Sequence, residues 1–302
     1  MYISGLSDII SKYLINMECY ADDTQLYMEI QPSVESIDAA KQSLELCIAE
    51  IRNYLLEHQL KFNESKTEII IIGSQHNISK LPDMTFSIGN ESVSPVSSVR
   101  NLGVVFDSHM TLNNHINNIC KKVNIQLSRI RHIRPYLSKS NTEALIHSLI
   151  TSTLDYCNSI LYNIPEYQLH KLQLLQNSAA RIICHVPRRN HITPILRKLN
   201  WLPVKYRVEF KIALLSFKIL NGLAPQYLFN MVQIYRPTRS LRSSSKNLLV
   251  IPRINNKYGS RSLSYALPVV WNGLPHEIRN CCKLTKFKIL LKTHLFSKAN
   301  IV

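Results

Sequence analysis

Cys19-Tyr20-Ala21-Asp22-Asp23-Thr24-Gln25-Leu26-Tyr27 sets two adjacent carboxylates between an apolar run ending at Tyr20 and an alternating run, Gln25-Leu26-Tyr27-Met28-Glu29-Ile30. Alternation is the period of a half-buried strand, so the stretch reads as strand, tight turn, strand. Side chains along a strand point to opposite faces in turn, but two neighbours at a turn tip can both face the open end of a sheet. Carboxylates displayed in that way are the hard oxygen ligands that Mg²⁺ takes, its octahedral shell completed by water and substrate phosphates. Two such ions clamp the attacking and leaving oxygens of an in-line phosphoryl transfer. A solvated Asp-Asp turn is the plain alternative, and an isolated Asp pair does not choose between them.

Before this stretch, Ile3, Leu6, Ile9, Ile10, Tyr13 and Leu14 recur at helical spacing, predicting a helix over Tyr2 to Met17. On the other side, Gln31-Pro32-Ser33 makes a turn, and an amphipathic helix is expected from Val34 to His58, with Ile37, Leu44, Ile48, Ile51, Leu55 and Leu56 on one stripe. Ile69 to Ile72, closed by Gly73, read as a buried strand. Phe86 to Val93 centres on Gly89-Asn90 and reads as a hairpin, and Val99 to Asp107 as a further strand.

From Thr111 helices dominate. Ile116, Ile119, Val123, Leu127, Ile130 and Ile133 form one apolar stripe, with Lys121, Lys122, Arg129, Arg131 and Arg134 on the other faces and Pro135 ending the run. Ser140-x-x-Glu143 is a capping-box pattern opening a second helix through Leu161, and Pro165 suits the first turn of a third. Three helices with short connections pack as an antiparallel bundle. A helix over Pro203 to Leu220 follows. Next come the Ser-rich basic stretch Tyr235 to Lys246, a short β segment from Leu248 to Ile251, and a closing helix from Thr285 to Lys298. The basic stretch suits phosphate contact through Arg236, Arg239 and Arg242; its composition equally suits a flexible linker.

Charge divides the chain. Residues 1–118 hold 7 Lys+Arg against 15 Asp+Glu, whereas residues 119–302 hold 29 against 5. An acidic front joined to a strongly basic remainder suits a metal-dependent site beside a surface that grips a polyanion. The basic residues are spread along helices and not gathered into one juxtamembrane cluster, which disfavours an anionic membrane as the partner. The seven cysteines include no Cys-x-x-Cys pair, and Cys184-His185 with His191 has no second cysteine at ligand spacing, so structural thiols in a reducing compartment are expected. With no apolar run of membrane-spanning length and no charged leader region, the expected location is intracellular, cytoplasmic or nuclear.

Several stretches together resemble the reverse transcriptases of non-LTR (LINE-type) retrotransposons, of the jockey-like branch. Tyr20-Ala21-Asp22-Asp23 stands where that family has its Tyr-x-Asp-Asp palm hairpin, and Leu60-Lys61-Phe62-Asn63-Glu64-Ser65-Lys66-Thr67 resembles its Leu-x-x-Asn-x-x-Lys-Thr motif. Asn101-Leu102-Gly103-Val104-Val105-Phe106-Asp107 resembles its primer-grip region. The likeness continues through Asp155 to Tyr162, Leu175 to Ile183, Trp201-Leu202-Pro203-Val204 with Arg207, and Trp271-Asn272-Gly273-Leu274-Pro275.

What the resemblance implies is an α+β fold: the C-terminal half of a polymerase palm at 1–110, a thumb-like three-helix bundle at 111–187, and a basic, mostly helical C-terminal region at 188–302. It implies RNA-directed DNA polymerase chemistry, with Asp22 and Asp23 as catalytic Mg²⁺ ligands and Lys66 at the leaving pyrophosphate, where a lysine neutralises charge or acts as general acid. As an isolated feature, Lys66 reads as a surface lysine in a turn. Asn63 is expected to order the loop. Tyr20, Gly103, Lys121, Lys122 and Arg129 join Asn63 and the loop arginines as expected contacts to an RNA template and DNA primer, or an RNA–DNA duplex. The fingers and the strand bearing the family's other metal-binding Asp are expected upstream of Met1, so the chain is expected to be inactive alone. The alternative is a non-catalytic nucleic-acid-binding remnant.

Overall fold

Among the described residues the first helix ends well before the expected Met17: α1 is Leu6–Ser11, burying Leu6, Ile9 and Ile10, and the expected start at Tyr2 lies outside the described residues. Leu14 adopts a left-handed backbone conformation (φ 55°), which ends helical continuation, and Met17 falls in a strand. The computed structural model describes residues 5–31, 33–82, 84–89, 91–236 and 247–300. Strand β1, Asn16–Tyr20, pairs antiparallel with β2, Asp23–Tyr27, in a register running from Asn16↔Tyr27 to Tyr20↔Asp23. Both lean on α2, Val34–Glu57, whose N-cap Ser33 hydroxyl accepts from the Ser36 amide.

Two apolar clusters meet along α2. One gathers Leu6, Ile9, Ile10 and Ile15 around Cys47 and Ile51, with Met17 and Met28 packed against it; the other gathers Ile37 and Ile48 with Met84, Phe86 and Ile88. Leu26 of β2 and Leu44 of α2 touch both clusters. Each such side chain contributes about 1.5–3 kcal/mol on full burial, so the β1–β2 hairpin is held by its rear and not by its tip. Burial also pushes the Cys47 thiol up to about 11, so it is an inert core group.

Past α2, Glu64–Lys66 makes one 3₁₀ turn, and α3 spans Gln75–Ile78. The isoleucine run between them does not form the buried strand its composition predicts. Ile69 to Ile71 are half-buried and Ile72 is 53% exposed. The run is tied by the Val96 amide to the Ile69 carbonyl (2.8 Å) and, just past it, by the Gly73 amide to the Ser108 carbonyl (3.0 Å). A buried strand needs ladder partners on both edges, and these two bonds do not make a ladder.

The next hairpin is β3, Phe86–Ile88, with β4, Glu91–Val93, as expected. The stretch expected as one strand over Val99 to Asp107 is instead two: β5, Ser98–Asn101, turns back on β6, Val104–Asp107. Leu102 and Gly103 both have positive φ (44° and 83°), the signature of a two-residue turn that matches strand twist. Asp107 is then the organiser of the unit's last loop. Its carboxylate is 9% exposed and accepts from the amides of His109 (3.2 Å), Thr111 (2.9 Å) and Leu112 (2.7 Å) and from the Thr111 hydroxyl (3.1 Å). These bonds hold Met110 and Leu112 at positive φ.

The chain is α+β and divides into two units, Met1–Leu112 and Asn113–Val302. The second opens with α4, Asn113–Ile133, whose buried residues Ile116, Ile119, Val123, Leu127 and Ile130 follow the predicted stripe. The second helix departs from expectation at both ends. It starts as α5, Lys139–Ile146, capped by the Ser138 hydroxyl on the Asn141 amide and not at Ser140. It loosens into a π turn at His147–Thr151, resumes as α6, Ser152–Asp155, and ends at Cys157, whose φ is 49°. The third helix, α7, spans Glu166–Cys184, and the guanidinium of Arg134 donates to the Ile182 carbonyl at its end (3.0 Å) and to the nearby Leu137 carbonyl (2.9 Å).

Residues past 187 belong to the same compact unit as the three preceding helices. After α8, Thr193–Lys198, the Trp201-Leu202-Pro203-Val204 stretch is clamped to α7: Gln176 donates to the Leu202 carbonyl and the Val204 amide donates to Gln173, both at 2.8 Å. Helix α9, Val204–Leu220, then packs Ala213 and Phe217 beside α11, Leu263–Asn272, and α13, Leu284–Lys298; the short α10, Gln226–Phe229, and α12, His276–Arg279, lie between them in sequence. Phe217 stacks on Phe287 with ring centres 4.3 Å apart, and Trp271 lies 6.0 Å from Phe287. The expected β segment at Leu248 to Ile251 reduces to a single bridge, Ile234↔Leu249. Among the described residues no helix is long and apolar enough to cross a membrane.

Two outcomes follow. Replacing Asp107 with Ala strands several buried donors and is expected to cost about 3 kcal/mol, read as an earlier denaturation midpoint of the front unit, with Thr111 and Leu112 losing hydrogen-exchange protection. His115 is 5% exposed, and burial holds its pKa below the ordinary histidine value. A folded pKa lowered in this way leaves stability unaffected above about 6.5 and reduces it as pH falls below that, because the unfolded chain takes the proton more readily. The stability of the second unit should therefore fall between pH 6.5 and 5, above the carboxylate range, and His115→Gln should flatten that slope.

Candidate metal centre and nucleic-acid interface

The β1–β2 register decides where the two aspartates point. Met17↔Leu26 and Cys19↔Thr24 share the face turned to α2, with Cys19 Sγ 3.6 Å from the Thr24 hydroxyl. With a period of two, Glu18↔Gln25 and Tyr20↔Asp23 take the opposite face. Ala21 and Asp22 form the turn, Ala21 at φ 56°. Asp22 and Asp23 are both exposed, and Tyr20 beside them is 67% exposed. The tip is thus an open pair of carboxylates on a rigidly backed hairpin, next to an exposed aromatic ring.

Two carboxylates are not a two-metal centre. Among the described residues no group of three or more His, Cys, Asp or Glu side chains is placed to hold an ion. Asp22 and Asp23 by themselves would leave most of an Mg²⁺ shell to water and substrate phosphates, and a two-metal phosphoryl-transfer centre would need further oxygen ligands beside them. Cys184, His185 and His191 form no such group either.

Lys66 lies in the same unit, exposed, at the end of the 3₁₀ turn. That turn is pinned from three sides. Asn63 accepts the Ser65 hydroxyl on its side chain (2.9 Å) and the Thr67 hydroxyl on its carbonyl (3.2 Å). Glu64 pairs with Arg52 of α2 (3.0 Å) and lies against Gly89, where an added Cβ would collide with its carboxylate. No ion pair within 4 Å joins Lys66 to Asp22 or Asp23 among the described residues. Gly103, expected as a close-approach point for a strand of nucleic acid, has its own reason to be glycine, the positive φ of the β5–β6 turn.

In the second unit Lys121, Lys122, Arg129 and Arg131 are exposed on the outer faces of α4, a helix with no acidic residue. Asn114, Asn117, Asn118 and Asn124 stand exposed among them, so cations and amide donors share the surface. Lys171 of α7 extends the strip: it is exposed, reaches Asn117 at 3.4 Å and lies 5.9 Å over the Tyr167 ring. Its helical phase alone did not single it out in the sequence, because its basic neighbours sit on another helix. Arg134 leaves the set, since its guanidinium is engaged at the end of α7. Arg236 is exposed, while Arg239 and Arg242 lie outside the described residues.

The few acids of this unit do little to offset the cations. Asp155 takes Arg207 in a two-point pair, Nε at 2.8 Å; Glu166 takes Lys205 at 2.8 Å; Glu209 takes Lys298 at 2.7 Å. Lys205 holds the Glu166 carboxyl below its usual range. The surface that remains is electropositive, the condition for binding a polyanion with release of counterions. No family model, curated protein or solved structure matches the chain.

Proposed function

We propose that this chain is the C-terminal portion of an RNA-directed DNA polymerase of the non-LTR retrotransposon type. In this reading the first unit is half of a palm and the second a thumb with a basic extension. Its partners are an RNA template with a DNA primer, or the RNA–DNA duplex, inside the cell. The observation that carries the reading is the exposed Asp22-Asp23 pair at the tip of a hairpin whose rear is packed on α2. The division of charge at the boundary between the units supports it: 7 Lys+Arg against 15 Asp+Glu before residue 113, and 29 against 5 after it.

In an intact polymerase of this type Asp22 and Asp23 would supply two of the carboxylates that hold Mg²⁺, and Lys66 would offset charge on the leaving pyrophosphate. This chain offers no further carboxylate to the pair among its described residues, and loss of part of such an electrostatic clamp costs orders of magnitude in rate. The same isolation of the pair favours a second reading, a nucleic-acid-binding remnant without catalysis.

Supplied with Mg²⁺, a primed RNA template and deoxynucleotides, the chain is expected to give no primer extension; robust templated synthesis overturns that expectation. It is expected to bind the primed template with affinity that falls steeply with salt, log K against log salt having a slope of about −0.9 per duplex phosphate neutralised. Lys121→Ala and Lys122→Ala together should make that slope shallower by one to two. Binding that ignores salt would refute the polyanion-gripping role of the second unit.

A further inference from the structure

Between Glu209 and Glu277 the chain has no acidic residue, over sixty-seven positions that carry nine lysines and arginines. Within that stretch the structure leaves a succession of large side chains uncovered: Tyr227 is 63% exposed, Phe229 40% and Tyr235 38%. Tyr227 and Phe229 belong to α10, a single turn opened by Pro225 and followed at once by bonds from the Met231 amide to the Leu228 carbonyl and from the Val232 amide to the Phe229 carbonyl. The chain then reaches the Ile234↔Leu249 bridge, with the Tyr235 amide on the Leu248 carbonyl (2.9 Å) and the Val250 amide on the Gln233 carbonyl (2.8 Å). Ile234, 39% exposed, lies opposite Leu249, which is buried in the core, and Tyr235 beside it is uncovered to the same degree. Arg236 and Arg253, which follow the two bridged segments, are both exposed.

An apolar protein partner would explain exposed rings but not the exclusion of every carboxylate from the surrounding stretch. Aromatic faces interleaved with uncompensated cations are what a flexible polyanion with stackable bases requires: each base has a π-face to lay on a ring, and the backbone is met by arginine. We propose that the segment from Gln226 to Arg236, with the returning segment at Leu248 to Arg253, is a binding site for single-stranded nucleic acid, in which bases stack on Tyr227, Phe229 and Tyr235. The inference rests on the reading of the second unit as a nucleic-acid binder and adds a site and a strand preference to it.

The test uses the whole 302-residue chain and two labelled probes of equal length and charge, an oligothymidylate and its abasic analogue, compared by fluorescence anisotropy over a salt series. The oligothymidylate should bind tighter than the abasic strand by roughly fivefold or more for each stacked base. The triple variant Tyr227→Ala, Phe229→Ala, Tyr235→Ala should lose that margin while keeping its abasic affinity and salt slope. A second variant, Tyr227→Trp with Tyr235→Trp, should keep or widen the margin, which excludes misfolding as the cause. Equal affinity for both probes in the unaltered chain would overturn the stacking site and leave the electrostatic reading standing; binding of neither at low salt would overturn both. A triple variant that keeps the margin, or loses affinity only for anionic phospholipid vesicles, would also overturn the proposal.

Discussion

The front unit depends on one constraint, the pairing of Met17 with Leu26 across the β1–β2 hairpin. Because strand side chains alternate, fixing that pair against α2 fixes every other residue of the hairpin. Met17, Leu26 and, beyond the strand, Met28 meet the core; Tyr20 and Asp23 turn away from it; Asp22 is left in the turn. A slip of one residue would bury a carboxylate and expose Leu26, losing the contacts that join both apolar clusters. The display of the two aspartates is thus a consequence of packing several residues away. Glu50, which accepts the Tyr13 hydroxyl at 2.8 Å and pairs with Lys12, ties the chain just before β1 to the same helix.

In the second unit the stretches with no evident chemistry in the sequence serve as fasteners. Gln173 and Gln176 hold the backbone of Leu202 and Val204. Asn272 bonds both the amide (2.9 Å) and the carbonyl (2.8 Å) of Leu249, and the Trp271 indole donates to the Asn247 carbonyl at 2.7 Å. Arg279, nearly buried, donates to the carbonyls of Asn272 and Leu274. Each motif satisfies backbone groups of a distant segment that would otherwise be buried without a partner. With polar residues so engaged inside, and with three of five acids in close ion pairs to Arg207, Lys205 and Lys298, few carboxylates are left to offset the other lysines and arginines of this unit.

Local pattern revealed the elements whose burial follows one period. Helices α2, α9 and α13 start and stop within one residue of the expected bounds, and α4 carries the expected stripe. The hairpins at Asp22 and at Gly89 were legible because turn chemistry and alternation agree there. The failures have physical reasons. Val99 to Asp107 has no Asn-Gly or Asp-Gly at its centre, and a leucine at positive φ gives no sequence signal for a turn. Four isoleucines promise a strand only if ladder partners exist, which composition cannot reveal. The helix through residues 147–151 widens without any proline or glycine to announce it. Of the candidate site, the carboxylate pair was readable, but the exposure of Tyr227, Phe229 and Tyr235 depends on tertiary contacts that no periodicity encodes.

If Asp22 and Asp23 are metal ligands, as proposed, paramagnetic relaxation by Mn²⁺, followed in the amide spectrum of the whole chain, reads this residue by residue. Broadening should then centre on Ala21 to Thr24 at millimolar-scale Mn²⁺ and disappear in the Asp22→Asn, Asp23→Asn variant. Broadening centred elsewhere in the front unit, or a hairpin tip untouched by Mn²⁺ while other carboxylates respond, would contradict it.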